Sequence, residues 1–237
     1  MFLDAIRLQT ADATAAARFY GETLGLPVRP EPAAVLVTVG RTELLFEQSD
    51  DVRGKPYHLA FNIPENRLGN GRDWLAARGV AVLHDRAYTF DSWNAHAVYF
   101  ADPAGNILEL IARHDLPAPP PDGLTFGPRH LLSVSEVALV TDDVPALAAD
   151  IERVTGIGPY RPGDAQFTAV GDADGLFILA ATGREWFPET GLPAEALPLT
   201  IRARTGDGTP FSVQGPPYRV ARQEGELRLP PIGEEND

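Results

Sequence analysis

Asp102-Pro103-Ala104-Gly105-Asn106-Ile107-Leu108-Glu109-Leu110, read together with Tyr57-His58-Leu59-Ala60-Phe61, decides the fold. The first stretch is a tight turn, with Asp, Pro and Gly at turn offsets, feeding a strand that carries a carboxylate in its middle. The second is a strand that opens on a histidine. Glu109 lies within Ile107-Leu108-Glu109-Leu110-Ile111, where an unpaired charge is costly, so it requires a partner. A histidine and a carboxylate on paired strands begin a divalent-cation site, but first-row metals in proteins normally take three or four ligands.

Outward from these strands the chain repeats itself, and the repeat has to be recognised before the fold is named. Residues 3–10 alternate as a half-buried strand. Asp12 or Thr14 caps a helix from Ala13 to about Leu24 that stops at Gly25, and residues 33–39 and 42–47 read as strands around Gly40-Arg41. The same order recurs as a strand over 58–63, a helix over 67–78 ending at Gly79, and strands over 80–84, 95–100 and 107–111. It begins a third time with a strand at 136–140, a helix opened by Asp143-Val144-Pro145 and running to Val154, and strands at 166–170 and 176–181. A fourth unit, from residue 199, lacks its helix.

Between the second and third units, Leu116-Pro117-Ala118-Pro119-Pro120-Pro121-Asp122-Gly123 continues neither sheet nor helix and reads as a stiff linker. The expected organisation is a domain of two paired units over 1–115, a Pro-rich linker over 116–129, a degenerate domain over 130–230, and an acidic tail over 231–237.

Composition narrows the function. The 237 residues are 44% hydrophobic and 22% charged, enough to bury a substantial core. A formal net charge of −13 argues against nucleic acid and against a membrane surface, both of which recruit clustered Lys and Arg. No apolar run approaches the roughly 20 residues of a membrane span, and Met1 leads directly into patterned sequence, so a cytoplasmic location is expected. The absence of cysteine excludes disulfides, thiolate ligands and a cysteine nucleophile. Any metal must use His, carboxylate, amide or water ligands.

At this point the chain resembles the vicinal oxygen chelate superfamily, which includes glyoxalase I, extradiol ring-cleaving dioxygenases, fosfomycin-resistance transferases and bleomycin-binding proteins. The matching pieces are Phe19-Tyr20 with Leu24-Gly25-Leu26, the strand His58-Leu59-Ala60-Phe61, and Tyr99-Phe100-Ala101-Asp102-Pro103-Ala104-Gly105-Asn106 leading to Glu109. They cover residues 3–113 well and 134–181 loosely. The resemblance implies an α+β fold in which tandem βαβββ units form a cup-shaped mixed sheet, with a degenerate second copy.

The resemblance also implies a divalent metal (Mn, Fe, Ni or Zn) on first- and last-strand ligands, and these positions fall on His58 and Glu109. The usual ligand position of the first strand falls on Ala5, which has nothing to donate and leaves a metal-free cup open. Arg7 shares a face with Ala5 and would point into the cup, to pair with Glu109 or bind an anionic substrate. Glu136 holds the equivalent position in the third unit, so pairing of units two and three would gather His58, Glu109 and Glu136. Adjacency along the chain instead favours pairing of units one and two.

Tyr99 and Arg7 are the expected catalytic groups, and Arg7, Asn62, Trp93 and Tyr99 the expected substrate contacts. His96 should face away from the cup, and the Asp102 turn should be structural. Trp186, in Glu185-Trp186-Phe187-Pro188, reads as packing or as a plug over the third unit. Two functions follow. One is a metal-assisted enzyme acting on a small oxygenated metabolite, as lyase or isomerase, dioxygenase or transferase. The other is a metal-free protein that sequesters a small molecule in the bleomycin-resistance manner. A small-molecule ligand is expected in either case, and a homodimer is compatible with both.

Overall fold

The computed structural model describes residues 1–117, 123 and 125–223. The expected tail over 231–237 and part of the expected linker lie outside the described residues. The first unit contains β1 (Phe2–Thr10), α1 (Ala13–Ala17), β2 (Val28–Glu31), β3 (Ala34–Val39) and β4 (Thr42–Gln48). Asp12 caps α1 by accepting from Ala15 N, and the helix continues as a wider π turn over Arg18–Thr23 that buries Phe19 and Tyr20. The second unit contains β5 (His58–Ile63), α2 (Leu68–Ala76), β6 (Tyr88–Phe90), β7 (Ala95–Ala101) and β8 (Ile107–Arg113).

The third unit contains β9 (Ser133–Thr141), α3 (Val144–Thr155), β10 (Phe167–Asp172) and β11 (Gly175–Ala181). Helix-free strands β12 (Leu199–Arg204), β13 (Pro210–Gly215) and β14 (Arg219–Arg222) complete the described chain. One expected strand is displaced. Residues 80–84 do not form one, because the chain turns at His84 and Asp85 with φ of 56° and 47°, values a strand does not hold. The edge strand forms at Tyr88 instead.

The fourteen strands form two curled mixed sheets of seven, consistent with βαβββ units in two copies. Their orders are β14-β13-β12-β1-β4-β3-β2 and β10-β11-β9-β5-β8-β7-β6. The strand pairing differs here from the sequence expectation. Units one and two do not share a sheet: β1 pairs antiparallel with β12, and β5 pairs antiparallel with β9. Units two and three are also neighbours along the chain, and the approach to β9 is fastened to β5 by Leu132 N donating to Asn62 O at 2.8 Å.

Strand alternation divides the side chains of the second sheet. Leu59, Phe61 and Ile63 of β5 join Leu108 and Leu110 of β8 and Val137 and Leu139 of β9 in the large core, which also takes in α1, α2, α3 and the inner face of the first sheet. His58, Ala60 and Asn62 therefore project to the opposite, concave face, where Ala60, Ala97, Tyr99, Ile111 and Ile178 form a second, smaller cluster.

The Asp102 turn holds β8 in phase with β5. Asp102 Oδ1 accepts from Ala104 N at 2.9 Å and Asn106 N at 3.0 Å, and Oδ2 accepts from Tyr20 Oη at 3.0 Å. Asn106 Oδ1 then accepts from Tyr57 N at 2.9 Å, tying the turn to the residue just before His58.

Candidate functional site

Three strands deliver one ligand-type side chain each to the concave face. His58 opens β5, Glu109 sits mid-β8 opposite Ala60, and Glu136 on β9 also lies opposite Ala60, from the other side. All three are buried, and their ligand atoms lie within 4.8 Å of one another. Among the described residues this is the one such group. It arises because units two and three share a sheet, the arrangement that adjacency had disfavoured.

The donor chemistry fits a divalent cation. His58 Nδ1 lies 3.1 Å from Ile107 O, so it carries the proton and leaves the Nε2 lone pair facing the carboxylates. Nε2 is 3.7 Å from Glu109 Oε2 and 3.8 Å from Glu136 Oε2, too far to hydrogen-bond either. Three sets of lone pairs thus face a common space without satisfying one another. The fourth position is blank: Ala138, two residues after Glu136, pairs with Ile178, just as Ala60 pairs with Glu109. Three candidate ligands with room beside them match the donor count of a catalytic metal site.

Burial sets the charge state. It raises the Glu109 carboxyl from 4.5 to about 8, with the Glu136 charge adding to the rise and His58 opposing it. Burial would lower the His58 imidazolium pKa, but the carboxylates of Glu136 and Glu109 outweigh it and leave that pKa raised. Burial, then the charges of Glu109 and Glu136, holds the Tyr99 phenol well above its ordinary value, so it stays protonated beside Glu109.

Arg113, the last residue of β8, was not anticipated. Its side chain is fully buried; Nη2 pairs with Glu136 Oε1, and Nε donates to Asn62 Oδ1 at 3.2 Å. Asn62 in turn donates from Nδ2 to Ala173 O at 3.0 Å. Asn62 is therefore engaged in holding Arg113 and does not line the cavity. The signal was present in the sequence, since residues 109, 111 and 113 share a strand face.

A cavity of about 230 Å³ opens over the three ligand-type residues. Trp93 and Tyr99 line it as expected, together with Phe90, Phe167, Phe187 and Trp186, which sequence reading did not place there as a set. The Trp186 ring centroid is 6.1 Å from that of His58. Arg7 does not line it: it stands in the other sheet, with Nε 3.6 Å from Glu47 Oε1, and so neither meets Glu109 nor reaches a substrate here. The first sheet has no matching ligand pair, because Ala5 and Leu45 occupy the positions of His58 and Glu109. His96 faces away and contacts His114 Nε2 at 2.7 Å.

Comparison with known proteins agrees with this architecture. Residues 5–111 match the family model described as "Glyoxalase-like domain". Over 90% of this chain, and 81% of the other, the structure overlays on a candidate dioxygenase from Bacillus subtilis with a TM-score of 0.61 at 15% identity. It overlays on a glyoxalase I variant from Zea mays with a TM-score of 0.52 at 14% identity, covering 90% of this chain and 88% of that one. No curated protein matches the sequence. Residues 5–111 are thus similar to a glyoxalase-like domain, and the chain as a whole shares the fold of these two solved structures. Among the described residues no helix is long and apolar enough to cross a membrane.

Proposed function

We propose that this protein is a divalent-metal-assisted enzyme for a small oxygenated metabolite, with His58, Glu109 and Glu136 as the metal ligands. The observation that carries the reading is the convergence of three buried ligand-type side chains on a common space, with Ile107 O fixing the imidazole tautomer so that His58 Nε2 faces one oxygen of each carboxylate. With both carboxylates ionised, His58 neutral and Arg113 charged, the buried site is one charge negative, a state that a divalent cation relieves. The ion, when bound, would supply Lewis-acid polarisation of adjacent substrate oxygens.

The chain's own residues do the rest. Tyr99 presents a protonated phenol to a substrate oxygen, where it can donate a hydrogen bond as negative charge develops. Trp93, Phe90 and Phe187 exclude water and hold an apolar body in place. Arg113 fixes one oxygen of Glu136 and leaves the other facing His58.

Elemental analysis of tag-free protein, followed by calorimetric titration with Mn, Fe, Ni and Zn, tests the reading. Stoichiometric binding that is lost in His58→Ala, Glu109→Ala and Glu136→Ala supports it, and no binding by wild type overturns it. A second reading, metal-free sequestration of a small molecule, draws on the Arg113–Glu136 pair, which already neutralises one carboxylate without a metal. In that case Glu109 keeps its proton near neutral pH.

A further inference from the structure

The lining of the cavity carries a cation that the mechanism above does not use. Arg184 lies just after β11 and lines the cavity, with its guanidinium carbon 5.1 Å from the ring centroid of Phe167. Among the described residues the one hydrogen bond of its guanidinium is a long one, Nη1 to Glu185 O at 3.5 Å. Among the described residues no carboxylate pairs with it. The other arginines around the site are taken: Arg113 by Glu136, Arg86 by Glu189 at 3.5 Å, and Arg161 by Asp115 at 3.8 Å.

The acidic groups beside Arg184 are also committed elsewhere. Glu185 Oε1 accepts from Gly191 N at 2.8 Å, and Glu189 faces Arg86. In a chain of net charge −13, a half-buried arginine left without an anion in a cavity wall is an unmet demand. A second observation lies two residues further on the same loop. Trp186 is 4% exposed and lines the same cavity, and its indole Nε1–H has no hydrogen-bond partner among the described residues. Burying a donor without an acceptor is costly, so the loop carries two donor groups whose demand the described residues leave largely unmet.

The remaining walls limit what can lie there. Phe90, Trp93, Phe167 and Phe187 provide flat apolar faces, and about 230 Å³ is at the small end for ligand pockets, which run from roughly 300 Å³ upward. We propose that Arg184 recognises a carboxylate on a single-ring aromatic ligand whose adjacent oxygens face His58, Glu109 and Glu136. The chelating end of this assignment rests on the function proposed above, whereas the anion end does not. Charge favours such a ligand: a divalent ion brings the buried site to one positive charge, and Arg184 adds a second, matching a dianion.

Tryptophan fluorescence titration tests each end separately. Zn-loaded protein is titrated with benzohydroxamate and with its 3- and 4-carboxy derivatives, and chelator-treated protein with benzoate and with benzyl alcohol. Either carboxy derivative is expected to bind about tenfold more tightly than the parent, as a charge-assisted contact would give. Arg184→Gln should bring that ratio near one, Arg184→Lys should retain part of it, and added salt should shrink it. Equal affinities in wild type, a ratio untouched by Arg184→Gln, or no binding of any probe overturns the proposal. If the hydroxamates fail while benzoate still outcompetes benzyl alcohol through Arg184, the chelation reading falls and the anion site stands.

Discussion

Glu109 and Arg113, four residues apart on one strand, have opposite electrostatic problems, and each predicts a measurement. Glu109 holds its proton more tightly folded than unfolded, its pKa rising from 4.5 to about 8. Stability of the metal-free protein should therefore fall as pH climbs from about 4.5 through about 8, and the raised pKa of His58 acts in the same direction. In thermal melts over that range, Glu109→Gln should flatten the decline relative to wild type; parallel curves would refute the assignment. Arg113→Met strands the Glu136 carboxylate in a buried site and should cost about 3–5 kcal/mol in urea unfolding. Adding Glu136→Gln should recover most of that loss, which an effect of lost packing alone would not allow. His58 and Glu109 were legible as candidate ligands because an acid in an apolar strand demands a partner. Arg7 was misplaced because strand phase fixes the face of a side chain but not the sheet in which its strand lies.

Among the elements, the turn from Asp102 to Asn106 was the easiest to read, since its chemistry is local. Asp102→Ala removes the acceptor for two backbone amides, Asn106 Nδ2 and the Tyr20 hydroxyl, and should destabilise by about 2–3 kcal/mol in denaturant titration. It should also weaken metal binding if the turn holds Glu109 and His58 in phase. The strand expected over 80–84 failed for the complementary reason: the apolar run Val80-Ala81-Val82-Leu83 has strand composition, but left-handed turns at His84 and Asp85 delay pairing until Tyr88. Amide hydrogen exchange should rank the second sheet accordingly, slowest in β5, β8 and β9 at its buried centre and fastest in the edge strands β6 and β10.

For the molecule as a whole, repeat counting revealed the units but not their partners, because every first strand presents the same kind of edge. Sequence adjacency made units one and two the simplest pair, yet β1 took β12 and β5 took β9. A fragment of residues 1–117 is therefore predicted to expose the edges of both β1 and β5. In size-exclusion chromatography it should run as an aggregate or a paired species, whereas co-expression with residues 118–237 should restore a single 25.6 kDa equivalent. A well-folded monomeric fragment would contradict the observed pairing.

That exchange of partners has one further consequence. His58 and Glu109 precede the proline-rich stretch and Glu136 follows it, so the candidate centre does not exist until synthesis has passed residue 136 and β9 has docked on β5. A ligand spanning these residues acts as a clasp between the early and late halves of the chain, and its affinity adds directly to the free energy that keeps them closed.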